Sequence, residues 1–202
     1  MSLPAVILAG GRAARMGGGD KGLMPLGEGV VLDRVLDRLR PQATCVALNA
    51  NGDAARFDRL GLEVLPDTHD DAGPLAGVLV ALRWAVQQGA QRVLTVAGDT
   101  PFLPRHLGVG LQSGAVCGGA RVVLAETGEP DGGRRLHPTC ALWQTGLADE
   151  LEAALAAGTR KLGLWAEGQG AHRVRFHRKP GAVDPFFNIN TPEDLAAAQA
   201  LL

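Results

Sequence analysis

Short apolar runs alternate with stretches of helical spacing along most of this chain. The run 5–8 (AVIL) ends at glycines, which is typical of a buried strand. Apolar residues at 31, 32, 35, 36 and 39 have the spacing of a helix face. The run 92–97 (RVLTVA) is the most strand-like in the chain. This alternation predicts a mostly parallel sheet covered by helices on both faces, a three-layer α/β/α architecture.

The remaining elements follow from the same reasoning. The final helix has the clearest start, because Thr191 is a good N-cap, Pro192 suits the first turn and two acids follow. Strands are also predicted over 45–48, 62–65, 121–125, 139–143 and 172–177. Helices are predicted over 31–39, 53–60, 75–88, 104–111 and 149–157, with two more that begin at 161 and 191.

The chain has no internal repeat and no convincing linker. We therefore expect residues 1–202 to form a single domain.

Composition narrows the class of function. The chain has 20 Lys and Arg against 21 Asp and Glu, so we expect no nucleic-acid partner. No apolar run has the length of a membrane span, so we expect no membrane partner either. The three cysteines are far apart and form no CxxC pair, which favours reduced packing residues in a cytoplasmic protein. Gly accounts for 28 of the 202 residues, which indicates many tight backbone positions.

The segment after the first strand, residues 9–22 (AGGRAARMGGGDKG), combines glycines with cations. Glycines let main-chain N–H groups approach an anion, and Arg12, Arg15 and Lys21 would neutralise it, a combination that fits a polyphosphate. A P-loop is excluded because Asp20 precedes the lysine and Gly22 follows it. The glycine spacing also excludes a dinucleotide-binding fingerprint. A flexible surface loop with incidental charge is the structural alternative.

Polar residues that follow other predicted strands would share the same edge of the sheet, where ligands of such sheets bind. Asp99 follows the strand 92–97, and a carboxylate there suits Mg²⁺, which prefers oxygen ligands. The alternative is that Asp99 caps the turn at Thr100. Asn49 and Asp67 would face the same crevice, although Asn49 could equally be a turn residue. Asp20 would orient Lys21 or pair with it.

The motif LAGGxxxRMGGxDKG at residues 8–22 resembles the start of the nucleotidyltransferases with a GT-A-like fold. Its MGGxDKG form is similar to the molybdenum cofactor guanylyltransferases, the MobA family. Gly19 departs from that pattern, and we expect it to loosen the loop without removing a ligand. Further matching segments occur in order and extend the resemblance over nearly the whole chain: residues 49–51 (NAN), 66–67 (PD), 73–77 (GPLAG), 98–101 (GDTP), 137–139 (HPT) and 187–192 (FNINTP).

The resemblance implies a Rossmann-like nucleotidyltransferase fold and an enzyme that transfers GMP from GTP to molybdopterin or its molybdenum form, releasing pyrophosphate. It implies Mg²⁺ as cofactor, with Asp99 as a ligand and Asn190 near the metal. Molybdoenzymes or molybdenum-insertion proteins would be further partners. Nucleotide contacts are implied for Leu8, Ala9, Gly10, Gly11, Gly18, Lys21, Asn49, Asp67 and Asp99.

The residues themselves favour catalysis by positioning and charge neutralisation. No nucleophile–histidine arrangement is visible, and an attacking phosphate monoester is already ionised near neutral pH. Lys21 and Arg15 would hold the triphosphate, Asp99 would hold the metal, and Gly10, Gly11 and Gly18 would let the main chain come close. His137 could meet the phosphate of the second substrate, or it could lie in a solvated hairpin.

Three alternatives stay open from the residues alone. A cytidylyltransferase for the same cofactor or a sugar-1-phosphate nucleotidyltransferase would use the same chemistry, because amides and backbone groups can read guanine or cytosine. A non-catalytic GTP-binding module that delivers the cofactor would be expected to lack the metal ligand or the loop lysine. Asp99 and Lys21 are both present, which favours an enzyme.

Overall fold

A computed structural model describes residues 3–10, 20–69, 72–129, 132–178 and 181–202. Among these residues, seven strands form the main sheet: β1 Ala5–Leu8, β4 Val46–Asn49, β5 Glu63–Leu65, β6 Arg92–Ala97, β7 Val122–Gly128, β8 Arg134–Gln144 and β9 His172–Arg175. Their order across the sheet is β5-β4-β1-β6-β8-β7-β9. Only β8 is antiparallel to its neighbours, so the mostly parallel sheet is confirmed in the described chain.

Helices cover both faces of the sheet, as predicted. Strand residues alternate between the faces, so that Val6 packs with one helix layer and Ile7 with the other. The layer beneath Val6 contains α2 Pro74–Gln87, α4 Ala148–Ala156 and α5 Leu162–Gly168, and the opposite layer contains α1 Val31–Leu39 and α3 Leu107–Gly118. The last helix, α6 Pro192–Ala200, packs on a small hairpin of β2 Pro25–Leu26 and β3 Gly29–Val30.

Several boundaries differ from those predicted. The hairpin β2–β3 was not predicted, and α3 begins at Leu107 rather than 104. Strand β8 starts at Arg134, because its first residues pair with β7 beyond a bulge between Leu124 and Ala125. Residues 40–42, 54–60 and 145–147 form 3₁₀ turns or helices.

In the described parts of the chain, no helix is both long enough and apolar enough to cross a membrane. All three tryptophans lie in the core, and all three cysteines are free. Cys117 is exposed, so it is not the packing residue that was predicted.

Candidate active site

A crevice of about 950 Å³ opens beyond the carboxyl ends of β1, β4, β5 and β6. Strand β1 lies between β4 and β6, so the chain leaves it on one side and later returns on the other. The loops that follow β1 and its neighbours diverge at such a point and leave a space between them. The crevice is lined by residues from seven segments: Leu8, Ala9, Gly10, Lys21, Gly22, Asn49, Asn51, Asp67, His69, Ala72, Gly73, Pro74, Ala97, Gly98, Asp99, Thr139 and Asn188.

One end of the crevice carries a carboxylate held by two amides. Asn49 Nδ2 donates to Asp67 Oδ1 at 2.8 Å, and Asn51 Nδ2 donates to Asp67 Oδ2 at 2.7 Å. The main-chain N–H of Asp67 donates in return to Asn51 Oδ1 at 2.8 Å. An ionised carboxylate has about four acceptor positions, so roughly two stay free for a ligand.

The orientation of the Asn49 amide follows from its surroundings. Its Nδ2 also donates to the carbonyl oxygen of Leu65 at 3.0 Å, and both of its partners can only accept. Its Oδ1 lies 2.3 Å from the position that a Cβ would take on Gly77. Helix α2 therefore needs glycine at 77 for Asn49 to reach Asp67. Gly10 approaches the same carboxylate, since a Cβ there would lie 3.3 Å from Asp67 Oδ2.

The other end of the crevice carries a cation between two oxygen groups. Lys21 Nζ donates to Asn190 Oδ1 at 2.7 Å and lies 3.9 Å from Asp99 Oδ2. The main-chain oxygen of Asp99 accepts from the N–H of Ile189, which brings the segment before α6 to the sheet. Burial raises the pKa of Asp99, and the nearby Lys21 ammonium opposes that shift. A second positive charge at this carboxylate would therefore be favourable.

Most sequence-predicted site residues meet in this crevice. Leu8, Ala9, Gly10, Lys21, Asn49, Asp67 and Asp99 line it, and Asn190 contacts Lys21. Gly11, Arg12, Arg15, Gly18 and Gly19 lie outside the described residues.

Two predictions about single side chains are wrong. Among the described residues the Asp20 carboxylate does not pair with Lys21; it accepts from Arg56 instead. His137 does not line the crevice, and it does not lie in a solvated hairpin. It is buried, stacks on Phe186 with ring centres 4.2 Å apart, and shares a hydrogen bond with Thr127. Burial and the nearby Arg135 lower the pKa of His137 to about 4.

Two further residues were missed as site residues. Asn51 stands in the NAN segment, so its place at the end of β4 was visible, but its reciprocal bonds with Asp67 depend on the loop after β5. Arg56 lies on a short polar 3₁₀ helix, and no local pattern distinguishes it from a solvated arginine.

Comparisons with known proteins agree with this geometry and confirm the fold class. A family model described as the MobA-like NTP transferase domain matches residues 5–172. The molybdenum cofactor guanylyltransferase of Mesorhizobium japonicum is 47% identical over 204 residues, which cover 99% of this chain and 96% of that protein. The guanylyltransferase of Cereibacter sphaeroides is 44% identical over 202 residues, covering 100% of this chain and 98% of that one.

Solved structures give the same picture. Molybdopterin-guanine dinucleotide biosynthesis protein A from Archaeoglobus fulgidus superposes with a TM-score of 0.73 at 26% identity, covering 98% of this chain and 97% of that chain. A CMP:2-keto-3-deoxy-manno-octonic acid synthetase complexed with CTP, at 14% identity and a TM-score of 0.72, shares the fold alone; the match covers 100% of this chain and 98% of that one.

Proposed function

Because this chain belongs to the MobA-like NTP transferase family, we propose that it transfers GMP from GTP to molybdopterin or its molybdenum form. The observation that carries the base choice is the Asp67 carboxylate, which both neighbouring amides hold through their NH₂ groups. The Watson–Crick edge of guanine presents two adjacent donors, N1–H and the 2-amino group. Cytosine and adenine each present an acceptor beside their amino group, which a carboxylate repels.

The opposite end of the crevice suits the triphosphate. Among the described residues that line this end, Lys21 supplies the positive charge. Its side chain is flexible, so the ammonium can stay close to the negative charge that moves from the α-phosphate to the leaving pyrophosphate. Main-chain N–H groups of the segment after β1 would contact the phosphates closely, because that segment is rich in glycine. Arg15, Gly11 and Gly18 belong to the same proposal.

The family generally uses a divalent metal. The donors at this end are a carboxylate and an amide oxygen, the hard ligands that Mg²⁺ prefers, so Asp99 and Asn190 fit such an ion. Bound there, Mg²⁺ would neutralise phosphate charge. The raised pKa of Asp99 fits a carboxylate whose charge a cation is expected to balance.

The acceptor would react through its own phosphate group. One of its oxygens attacks the α-phosphorus of GTP, the new P–O bond forms the dinucleotide, and the bond to the bridging oxygen of pyrophosphate breaks. The second pKa of a phosphate monoester is about 6, so the attacking oxygen is already deprotonated near neutral pH and no side chain needs to remove a proton. The chain then contributes orientation and charge: Asp67 fixes the base, and Lys21 holds the transferring phosphates.

We also propose a cytoplasmic location, for which the three free cysteines are the supporting observation, since disulfides are rare there. Molybdoenzymes or molybdenum-insertion proteins would receive the product.

The test is a pyrophosphate-release assay with molybdopterin as acceptor, Mg²⁺, and GTP, CTP, ATP and UTP in parallel. We expect release with GTP and a much lower rate with the other three. Faster release with CTP would favour a cytidylyltransferase. Tight GTP binding without pyrophosphate release would leave only a binding module.

A further inference from the structure

We propose that Arg56 is a positioning residue that holds the base-binding and phosphate-binding ends of the crevice in a fixed relation. This inference rests on the proposed nucleotide function. Arg56 lies on the 3₁₀ helix Ala54–Leu60, which is capped by the Asp53 side chain, and it does not line the crevice.

The Arg56 guanidinium joins two loops that are far apart in sequence. Its Nε and Nη2 donate to the two carboxylate oxygens of Asp20, just before Lys21. Nη1 donates to the main-chain oxygen of Asp53, and Nη2 also donates to that of Asn51. The carbon of the guanidinium lies 4.4 Å from the centre of the buried Phe57 ring, which holds the group against the core.

These contacts distinguish Arg56 from a phosphate ligand. A guanidinium has five N–H donors, and the four described bonds occupy most of them. Its charge is paired with Asp20 at close range, with side-chain exposures of 29% and 23%. The Arg56 guanidinium therefore has few N–H donors free to bind an anion. Its hydrogen bonds instead hold Asp20 and the main chain of residues 51 and 53 in place.

On one side, the contact reaches the phosphate end. Asp20 stands immediately before the 3₁₀ turn Lys21–Leu23, yet its carboxylate makes no capping bond to that turn. It is held by Arg56 instead, while its main-chain oxygen accepts from the N–H of Leu23 at 3.0 Å. Arg56 thereby determines where the main chain of Lys21 starts, and so where its ammonium can reach.

On the other side, the contact reaches the base end. Arg56 holds the main-chain oxygen of Asn51, and the side chain of Asn51 exchanges two hydrogen bonds with Asp67. A continuous series of contacts therefore runs from Lys21 through Asp20, Arg56 and Asn51 to Asp67. Small misplacements of groups that bind a substrate cost large factors in rate. One residue that touches neither base nor phosphate should thus influence the recognition of both.

The experiment measures the two ends separately in Arg56→Gln. The base end is read from the ratio of kcat/KM for GTP to that for ITP, which lacks the 2-amino donor to Asp67. The phosphate end is read from the dissociation constant of inorganic triphosphate with Mg²⁺. We expect the GTP:ITP ratio to fall and the dissociation constant to rise, each by about tenfold. Asp20→Asn should act in the same direction, and because both substitutions remove the same contact, the double variant should lose less than the sum of the two single effects.

Arg59→Gln is the matched control. Arg59 lies on the same 3₁₀ helix and is also paired with an acid, Asp33 at 2.9 Å, away from the crevice lining. It should leave both readouts unchanged. Arg56→Lys keeps the charge and the fold but loses the forked geometry, so it should resemble Arg56→Gln.

The outcomes separate the possibilities. A loss of triphosphate affinity with an unchanged GTP:ITP ratio would make Arg56 a direct phosphate ligand and overturn the inference, as would two unchanged readouts in a folded variant. If Arg56→Gln does not fold, Asp20→Asn and Arg56→Lys supply the same two measurements. Failure of the proposed function would look different, because the wild-type protein itself would then show no preference for GTP.

Discussion

Carboxylates occur in two contrasting settings along the edge of the sheet. In the parallel half, Asp67 is held by neutral amides and faces an open crevice. In the mixed half, Glu126 on β7 is 2% exposed and is surrounded by Arg134, Arg173 and Arg175. Amides hold a carboxylate in place without cancelling its charge, so acceptor capacity is left for a ligand. Arginines neutralise the charge, which makes burial of Glu126 tolerable.

The difference teaches that the partner, more than the acid, decides what a carboxylate can do. The nearest arginine to Glu126 is Arg175, whose Nη2 lies 3.3 Å from Glu126 Oε1. The other carboxylate oxygen, Glu126 Oε2, is buried without a hydrogen-bond partner among the described residues. Glu126 therefore contributes to the stability of the fold and offers no accessible acceptor to a ligand. Changes in the parallel half should alter catalysis at nearly constant stability, and changes in the mixed half should do the reverse.

The largest effect is expected from Lys21→Ala in the parallel half. Removing the ammonium removes charge stabilisation that grows in the transition state, so kcat should fall by about 10²–10³. The measurement is pyrophosphate release at saturating GTP, with the melting temperature as a check on folding. The matched control, Lys161→Ala, removes an exposed lysine at the start of α5 and should retain the wild-type rate.

The next largest effect is expected from Asp67→Asn, which replaces half of the acceptor surface with donors. The value of kcat/KM for GTP should fall by about 10²-fold, because the buried donors of guanine lose charge-assisted partners. The value for ITP should fall less, since ITP presents one donor fewer. Equal losses for GTP and ITP would show that Asp67 does not contact the 2-amino group.

In the mixed half, His137 makes stability depend on pH. The pKa of about 4 in the folded state lies below the ordinary value of 6.5, so the unfolded state binds the proton first as pH falls. Burial is the main cause, with Arg135 adding to it and Asp184 opposing it. The free energy of unfolding should therefore decrease from pH 6.5 towards pH 4.

His137→Gln tests this dependence. At pH 5 the imidazole should account for about 2 kcal/mol of the acid-induced loss of stability, an order-of-magnitude value. Urea unfolding at pH 7 and pH 5 measures the difference for both proteins. A variant with the same pH dependence as the wild type would show that another group titrates.

The smallest effect is expected from Glu126→Gln. The three arginines are 41% to 61% exposed and can be rehydrated, so losing their common counter-ion should cost about 1 kcal/mol of stability. Urea unfolding measures this loss, and the GTP kinetics should stay unchanged. A fall in kcat/KM for GTP without a loss of stability would reverse the contrast between the two halves.

Much of the architecture could be predicted from local pattern. The helix over 31–39 and the strand over 92–97 were predicted with the observed bounds, because their apolar residues follow the period of the element without interruption. The first residues of β8 were not predicted, since a polar stretch becomes a strand only by pairing with β7. Strands β2 and β3 have two residues each, which is too short for an alternating pattern to be recognised in the sequence. The hairpin packs against α6, which is distant along the chain.

The candidate site divides in the same way. The glycine-rich segment with Lys21, the acid after β6 and the Asn and Asp residues after β4 and β5 could be assigned to one edge, because parallel strands end together. What the sequence determined by itself is the order of elements and the residue types at their carboxyl ends. Only the tertiary structure decided which partner each polar group took: Arg56 for Asp20, Asn51 for Asp67, and Phe186 for His137. Those contacts join residues distant along the chain, and their energies depend on distances and burial that exist only once the sheet has assembled.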